Sequence, residues 1–419
     1  MFPPEPKARH AALKALADFG PEVLTAASDN DPTNVGVAAI VGAQSGYQLS
    51  WVALLVGPLL AVVLAIAAQL SIVTRSDLQS LVLKHYGRRI ARVLLVSVVL
   101  VNLVTIAADL QAGAAGIGLL VGVEPDWVVL PLGLALVGLL LIGKYDEVVS
   151  VLRFGLLGFL AFGAAAILAH PDWSQVLSGS LNPAAALRPA DLANVLALLG
   201  TTLTAYVYLW ETITRGVDER HADRSGVRLA RARVGAIVGS IFTAVILWFM
   251  LVTCAATLGL HHENVADAQD TARALRPLAG PLAADFFAVG LITSAVVALP
   301  VLMATTAHVV GAEFDWRRGL SERIGHARGF YAVLVASIGL AIAVGAAGVP
   351  LLTMLVAASI IGGLATPIGI ILMVRLARDP QVMGGQRVSA GLAIAGFTVA
   401  AVVGGFGLAY VAYGLLGRF

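Results

Sequence analysis

Residues 25–37, TAASDNDPTNVGV, place Asp29, Asn30, Asp31, Pro32, Thr33 and Asn34 where an apolar stretch ought to run on. Ionisable side chains are costly in hydrocarbon and by default mark functional positions. Pro32 removes a backbone donor, while Asp, Asn and Thr compete for backbone hydrogen bonds. These residues predict a helix that unwinds near Asp31–Asn34. Such backbone is tolerated at membrane depth only where it lines a cavity or is buried in protein. The freed carbonyls, the Asp31 carboxylate and the Asn34 amide oxygen would then form an all-oxygen cation site. The alternative is a polar cap outside a span that begins at Val35. "PEVLTAA" ahead of the cluster already reads as half a helix and favours the break.

Two other stretches carry buried polar groups. In "LLGTTLTAYVYLWETITRG", residues 198–216, Thr201, Thr204, Tyr208 and Glu211 recur at helical spacings of three, four and three and so share one face. Glu211 is either an acid deep in the span or the partner of Arg215 at i+4, and both threonines could instead bond back to helix carbonyls. Asp109, in "VTIAADLQAGAAG" with Gln111 beside it, is a group supporting the site, a proton carrier or the partner of a buried amide. His308 is expected to hydrogen-bond its neighbours.

The elements that must hold these residues are membrane helices. Of 419 residues, 59% are hydrophobic and 12% charged, where soluble domains carry about 25% charged residues. Eleven spans are predicted, at 20–43, 51–74, 90–120, 125–143, 146–169, 192–214, 233–259, 282–310, 329–347, 350–374 and 388–416. Residues 1–19 read as a cytoplasmic N-terminal segment without a signal peptide, and 20–419 as one transmembrane domain. With the N-terminus inside, 22 of the 27 Lys and Arg fall on cytoplasmic segments. That bias sets the orientation and puts the C-terminus outside. Five spans separate the Pro32 break from the Thr-rich sixth span, a spacing expected of a five-plus-five inverted repeat with one appended helix, both broken helices meeting at mid-membrane. The single Cys254 excludes a disulfide framework and a cysteine metal site. No metalloprotease, phosphate-loop or nucleophile-elbow motif is present, so no enzyme and no cofactor is expected. The net charge of +2 points to no nucleic-acid partner, and no obligatory protein partner is evident.

These residues resemble a known family. "DNDPTNVGVAAIVGAQSGYQLSW" is similar to the first-helix signature of the Nramp (natural resistance-associated macrophage protein) metal-ion transporters, an Asp-Pro-Gly-Asn break followed by Gly-Ala-Gln-x-Gly-Tyr. "TIAADLQAG", "GTTLTAYVYLWET", "ALPVLMATTAH" and "DPQVMG" resemble later segments in the same order, over roughly residues 20–390. The resemblance implies an all-α LeuT-like fold in a bacterial-type cytoplasmic membrane and transport of divalent metal ions. By position, Asp31 and Asn34 match metal ligands, and Ser28 and Thr201 match residues that offer backbone carbonyls.

The departures bear on the cargo. Where transporters of Mn²⁺ and Fe²⁺ carry Met-Pro-His on the sixth helix, this chain has Thr204, Ala205 and Tyr206. A thioether favours transition metals, while carboxylate, carbonyl and water suit Mg²⁺, Ca²⁺ and Mn²⁺. Ala112 replaces a family acid, and "GFYAVLVASIGLAIAVGAAG" on the ninth span lacks the family's arginines. The expectation is alternating-access import of Mg²⁺, with Mn²⁺ beside it and weak or no proton coupling. Asp31, Asn34, Ser28, Thr201 and Thr204 serve the ion, and Asp29, Tyr206, Asp109 and Glu211 lie behind them or along the path. A proton-coupled Mn²⁺/Fe²⁺ importer is the alternative. An organic-solute carrier of the same fold is more remote, because Asp31 would repel a substrate carboxylate.

Overall fold

The structure, a computed structural model, describes residues 21–142, 155–183, 191–218, 225–259, 280–349 and 351–415. Every regular element among them is helical: α1 (Pro21–Ser28), α2 (Pro32–Ser45), α3 (Ser50–Thr74), α4 (Leu78–Val121), α5 (Asp126–Ile142), α6 (Leu160–Leu168), α7 (Trp173–Leu181), α8 (Leu192–Thr202), α9 (Ala205–Asp218), α10 (Ser225–Cys254) with a π turn at Ala255–Gly259, α11 (Pro281–Glu313), α12 (Arg328–Ala346), α13 (Leu351–Arg378), α14 (Pro380–Met383) and α15 (Ala390–Leu415). Apolar sequence in lipid leaves the backbone no partner but itself, and the helix satisfies every interior amide.

Among the described residues, eight segments are long and apolar enough to cross a bilayer, or nine if the pair bent by 117° before Trp173 counts as one. The expected eleven are not reached, for physical reasons. The first expected span is divided into pieces of 8 and 14 residues, and the fourth has 17. Part of the fifth, with Lys144 and Arg153, lies outside the described residues, as do residues 1–19.

Burial orders the bundle. The apolar window of the α8–α9 pair is 78% buried, against 33% for α12 and α15. The broken pair therefore runs through the middle, and α12 and α15 present most of their surface outward. Around the pair, α4 packs on α11, α10 on α3 and α1, and α8 on α13. The core is mostly Leu, Val and Ala with Ile and Phe, including Leu64, Ile66, Phe159, Phe162 and Phe287.

Residues 75–89, expected to be a link, are largely helical. Asp77 caps α4 by accepting from the Ser80 N–H at 2.9 Å, and the chain turns within α4 at Gly87, whose φ of 78° suits a residue without Cβ. The first arm of α4 thus packs as helix before the long apolar run begins.

Candidate functional site

Between α1 and α2 the chain leaves the helix for three residues, Asp29, Asn30 and Asp31. Pro32 stands at the first position of α2, where its missing N–H costs nothing. Asp31 is the N-cap: its backbone is extended (φ −74°, ψ 165°) and its Oδ1 accepts the Asn34 N–H at 2.9 Å. The Asn34 amide reaches back as donor to the Asp29 carbonyl. A capping acid, a proline at N1 and an amide folded onto the linker fix this break locally.

The second break has no proline. α8 ends at Thr202, and Leu203 and Thr204 separate it from α9. Leu203 leaves helical geometry (φ −100°, ψ 35°), and the Thr202 hydroxyl donates back to the Leu198 carbonyl at 2.6 Å. Thr201, Thr204, Tyr208 and Glu211 therefore do not share one continuous face. Thr201 ends α8, Thr204 lies in the break, and Tyr208 and Glu211 belong to α9.

The two breaks face each other through polar contacts. The Tyr206 hydroxyl lies 2.8 Å from the Ser28 carbonyl, to which it donates, and 3.2 Å from Asp31 Oδ2. The Thr204 hydroxyl meets Asp29 Oδ1 at 3.4 Å, and the Thr202 hydroxyl meets Asn34 Oδ1 at 3.3 Å. From the side, Asp109 on α4 accepts both the Thr33 N–H at 3.0 Å and the Thr33 hydroxyl at 2.8 Å. Asp29, Asn30, Asp31, Asn34, Asp109, Thr201 and Tyr206 are all fully buried. None of Asp29, Asp31 and Asp109 forms an ion pair among the described residues, where Arg92 pairs with Glu313 and Arg318 with Asp77.

Of the residues expected at the site, the structure brings together Ser28, Asp29, Asp31, Asn34, Thr204, Tyr206 and Asp109. The Thr201 hydroxyl is buried one residue before Thr202, without a hydrogen-bond partner. Glu211 is buried farther along α9 and joins none of these contacts. His308 packs edge-on against Phe330, ring centroids 5.2 Å apart, on α11. Thr202 and Thr33 were not singled out as site residues. Thr202 carries no signal apart from the neighbouring threonines. Thr33 does: an unusual residue in the first turn of α2 and a lone acid on α4 are each other's partner. No three His, Cys, Asp or Glu side chains cluster closely enough to hold a metal among the described residues. The supply is instead carboxylate, amide, hydroxyl and carbonyl oxygen, a set that suits a hard cation keeping part of its water.

Solved structures share this overall fold. A variant of the Eremococcus coleocola manganese transporter superposes with a TM-score of 0.76 at 19% identity, covering 100% of this chain and 90% of that one. Mhp1, a nucleobase-cation-symport-1 family transporter, superposes at 0.62 with 16% identity, covering 93% and 92%. The chain thus shares the fold of these two proteins. The chain belongs to the Nramp family: the profile for natural resistance-associated macrophage protein-like sequences matches residues 22–413. Similar relatives include the "divalent metal cation transporter MntH" of Deinococcus radiodurans, 28% identical over 67% of this chain and 65% of that protein. That of Listeria welshimeri is 27% identical over 69% and 66%. The matched region spans just under two thirds of these relatives' lengths.

Proposed function

We propose that this protein is a secondary transporter that imports divalent metal ions by alternating access, chiefly Mg²⁺ and also Mn²⁺, with weak or no proton coupling. Family membership and the names of its relatives support a divalent cargo. The observation that carries the choice of ion is Thr204, a hydroxyl at the break where the soft-metal transporters place a thioether. Asp31 is the central ligand and Asn34 supports it. The carbonyls of Ser28 and Thr201 and the Thr204 hydroxyl complete the shell around a partly hydrated ion. Eleven crossings in a five-plus-five repeat plus one, with the N-terminus cytoplasmic and the C-terminus outside, remain the proposed topology.

Driving such an ion inward needs no proton. The membrane potential supplies about 2.3 kcal/mol per charge per 100 mV. Ala112 and the lack of arginine in α12 after Arg328 support this uncoupled reading.

Purified protein in liposomes loaded with a divalent-ion indicator tests the proposal. Mg²⁺ and Mn²⁺ uptake is expected in the wild type and lost in Asp31→Ala. Full uptake by Asp31→Ala would refute the ligand assignment. The manganese transporter among the solved structures favours a second reading, a proton-coupled Mn²⁺ importer. Acidification of the liposome lumen during metal uptake would select it.

A further inference from the structure

Three buried acids surround the breaks, and two of them are well provided for. Asp31 accepts the Asn34 N–H and lies 3.2 Å from the Tyr206 hydroxyl, and Asp109 accepts the Thr33 N–H and hydroxyl. Asp29 differs. Its Oδ1 has one long contact, from the Thr204 hydroxyl at 3.4 Å, and its Oδ2 has no partner. No backbone N–H supports it, and no basic side chain pairs with it among the described residues. Next to it, both amide atoms of Asn30 are buried without partners, as is the Thr201 hydroxyl across the gap. A buried carboxylate oxygen with nothing to bind is expensive, and a further positive or donor group would satisfy it. The contact with Thr204 runs from the first break to the second and so fixes where the carboxylate lies. It stands between the two helix ends, on the side where Asp31 meets Tyr206.

We propose that Asp29 is a second ion-facing acid, a specificity-determining residue that grips a water of the hydrated cation through its unpartnered Oδ2. The inference rests on the transport reading above and adds to it a named determinant of preference. Mg²⁺ gives up its water reluctantly, so a site that binds through retained water favours it over ions that shed water more readily. Asp29 then does for a hydrated ion what a direct ligand does for a bare one. Thr204, its single contact, holds it in place.

Asp29→Asn isolates the charge, because the amide oxygen can still accept from Thr204. Binding of MgCl₂ and MnCl₂ to the full-length protein in detergent would be measured by calorimetry, with thermal unfolding as the control for folding. The expected result is a Kd for Mg²⁺ raised about tenfold or more, which is about 1.4 kcal/mol. The loss for Mn²⁺ is smaller, so the Mg²⁺:Mn²⁺ affinity ratio falls by about threefold or more. A Mg²⁺ Kd within about twofold of wild type, or equal losses for both ions, overturns the proposal. If Asp29→Asn does not fold, Asp29→Ser is read in the same way. Wild-type protein that binds and takes up neither ion would instead refute the transport reading, a separate failure.

Discussion

A carboxylate in the middle of a membrane protein has to be held by something, and at Asp31 the holders are visible. One oxygen caps α2 through the Asn34 N–H, and the other lies 3.2 Å from the Tyr206 hydroxyl of the opposite break. This acid was legible in the sequence because its cause is local: Asp, Pro and Asn within four residues force the cap and the break together. The contacts between Thr33 and Asp109 were not, since 76 residues separate them and only tertiary packing brings them into register. In the proposed function, Thr204 is the residue on which the choice of metal turns. Replacing its hydroxyl with a thioether restores a soft ligand, so Thr204→Met is expected to shift preference from Mg²⁺ toward Mn²⁺ by about tenfold or more. Competition binding with the two ions on wild type and variant checks this, and an unchanged ratio would remove the argument from sulfur.

At the level of helices, the two breaks have different origins. α1 and α2 are parted by a proline and its capping acid. α8 and α9 are parted with Ala205 where the family has proline, so the broken sixth span expected from the repeat spacing has no proline to mark its place. Tertiary packing accounts for the difference, because α8 lies very close to α13. A Cβ at Gly200 would overlap the Ser359 carbonyl oxygen and stand 2.9 Å from Gly363 Cα. Gly200→Ala would push α8 away from α13, and overpacking of this kind costs about 1–3 kcal/mol. A lower thermal midpoint in detergent is expected, together with weaker ion binding, because Thr201, Thr202 and Thr204 follow within four residues. A variant as stable as wild type would show that the two helices separate easily. Gly87 is the other element-scale surprise. Residues 75–89 are polar enough to look like a loop, yet the Asp77 cap and one left-handed glycine make a helical arm of them.

For the molecule as a whole, the broken pair lies in the most buried part of the bundle, and one end is tied by polar contacts. The Thr212 carbonyl accepts the Ser71 hydroxyl at 2.7 Å, and the Thr212 hydroxyl accepts the Leu78 N–H at 3.1 Å, which joins α9 to the α3–α4 junction. Arg318, after α11, reaches the same junction at Asp77 Oδ2 (3.2 Å) and donates to the Ser80 hydroxyl at 2.8 Å. Burial alone would raise the Asp77 carboxyl, but the Arg318 charge and the Ser80 bonds outweigh it and hold it below its ordinary value. The folded state therefore gains from the ionised form at pH above the ordinary carboxylate range, near about 4, and loses that gain as pH falls through the lowered folded value. Thermal midpoints of wild type and Arg318→Gln should differ most at neutral pH and converge in acid. A gap that widens in acid would reverse the sign. The architecture of the centre could be anticipated from composition and spacing, whereas this knot at one end could not, because it is built from residues 71 to 318 in four separate segments. The double hold on Asp31 has one more implication. A carrier that has delivered its cargo must reset empty, and a naked acid would resist that journey through a low-dielectric interior. In the proposed carrier the Asn34 N–H stays on the empty Asp31, and the Tyr206 hydroxyl lies within 3.2 Å to turn toward it, so part of the unloaded site's polarity is met from within.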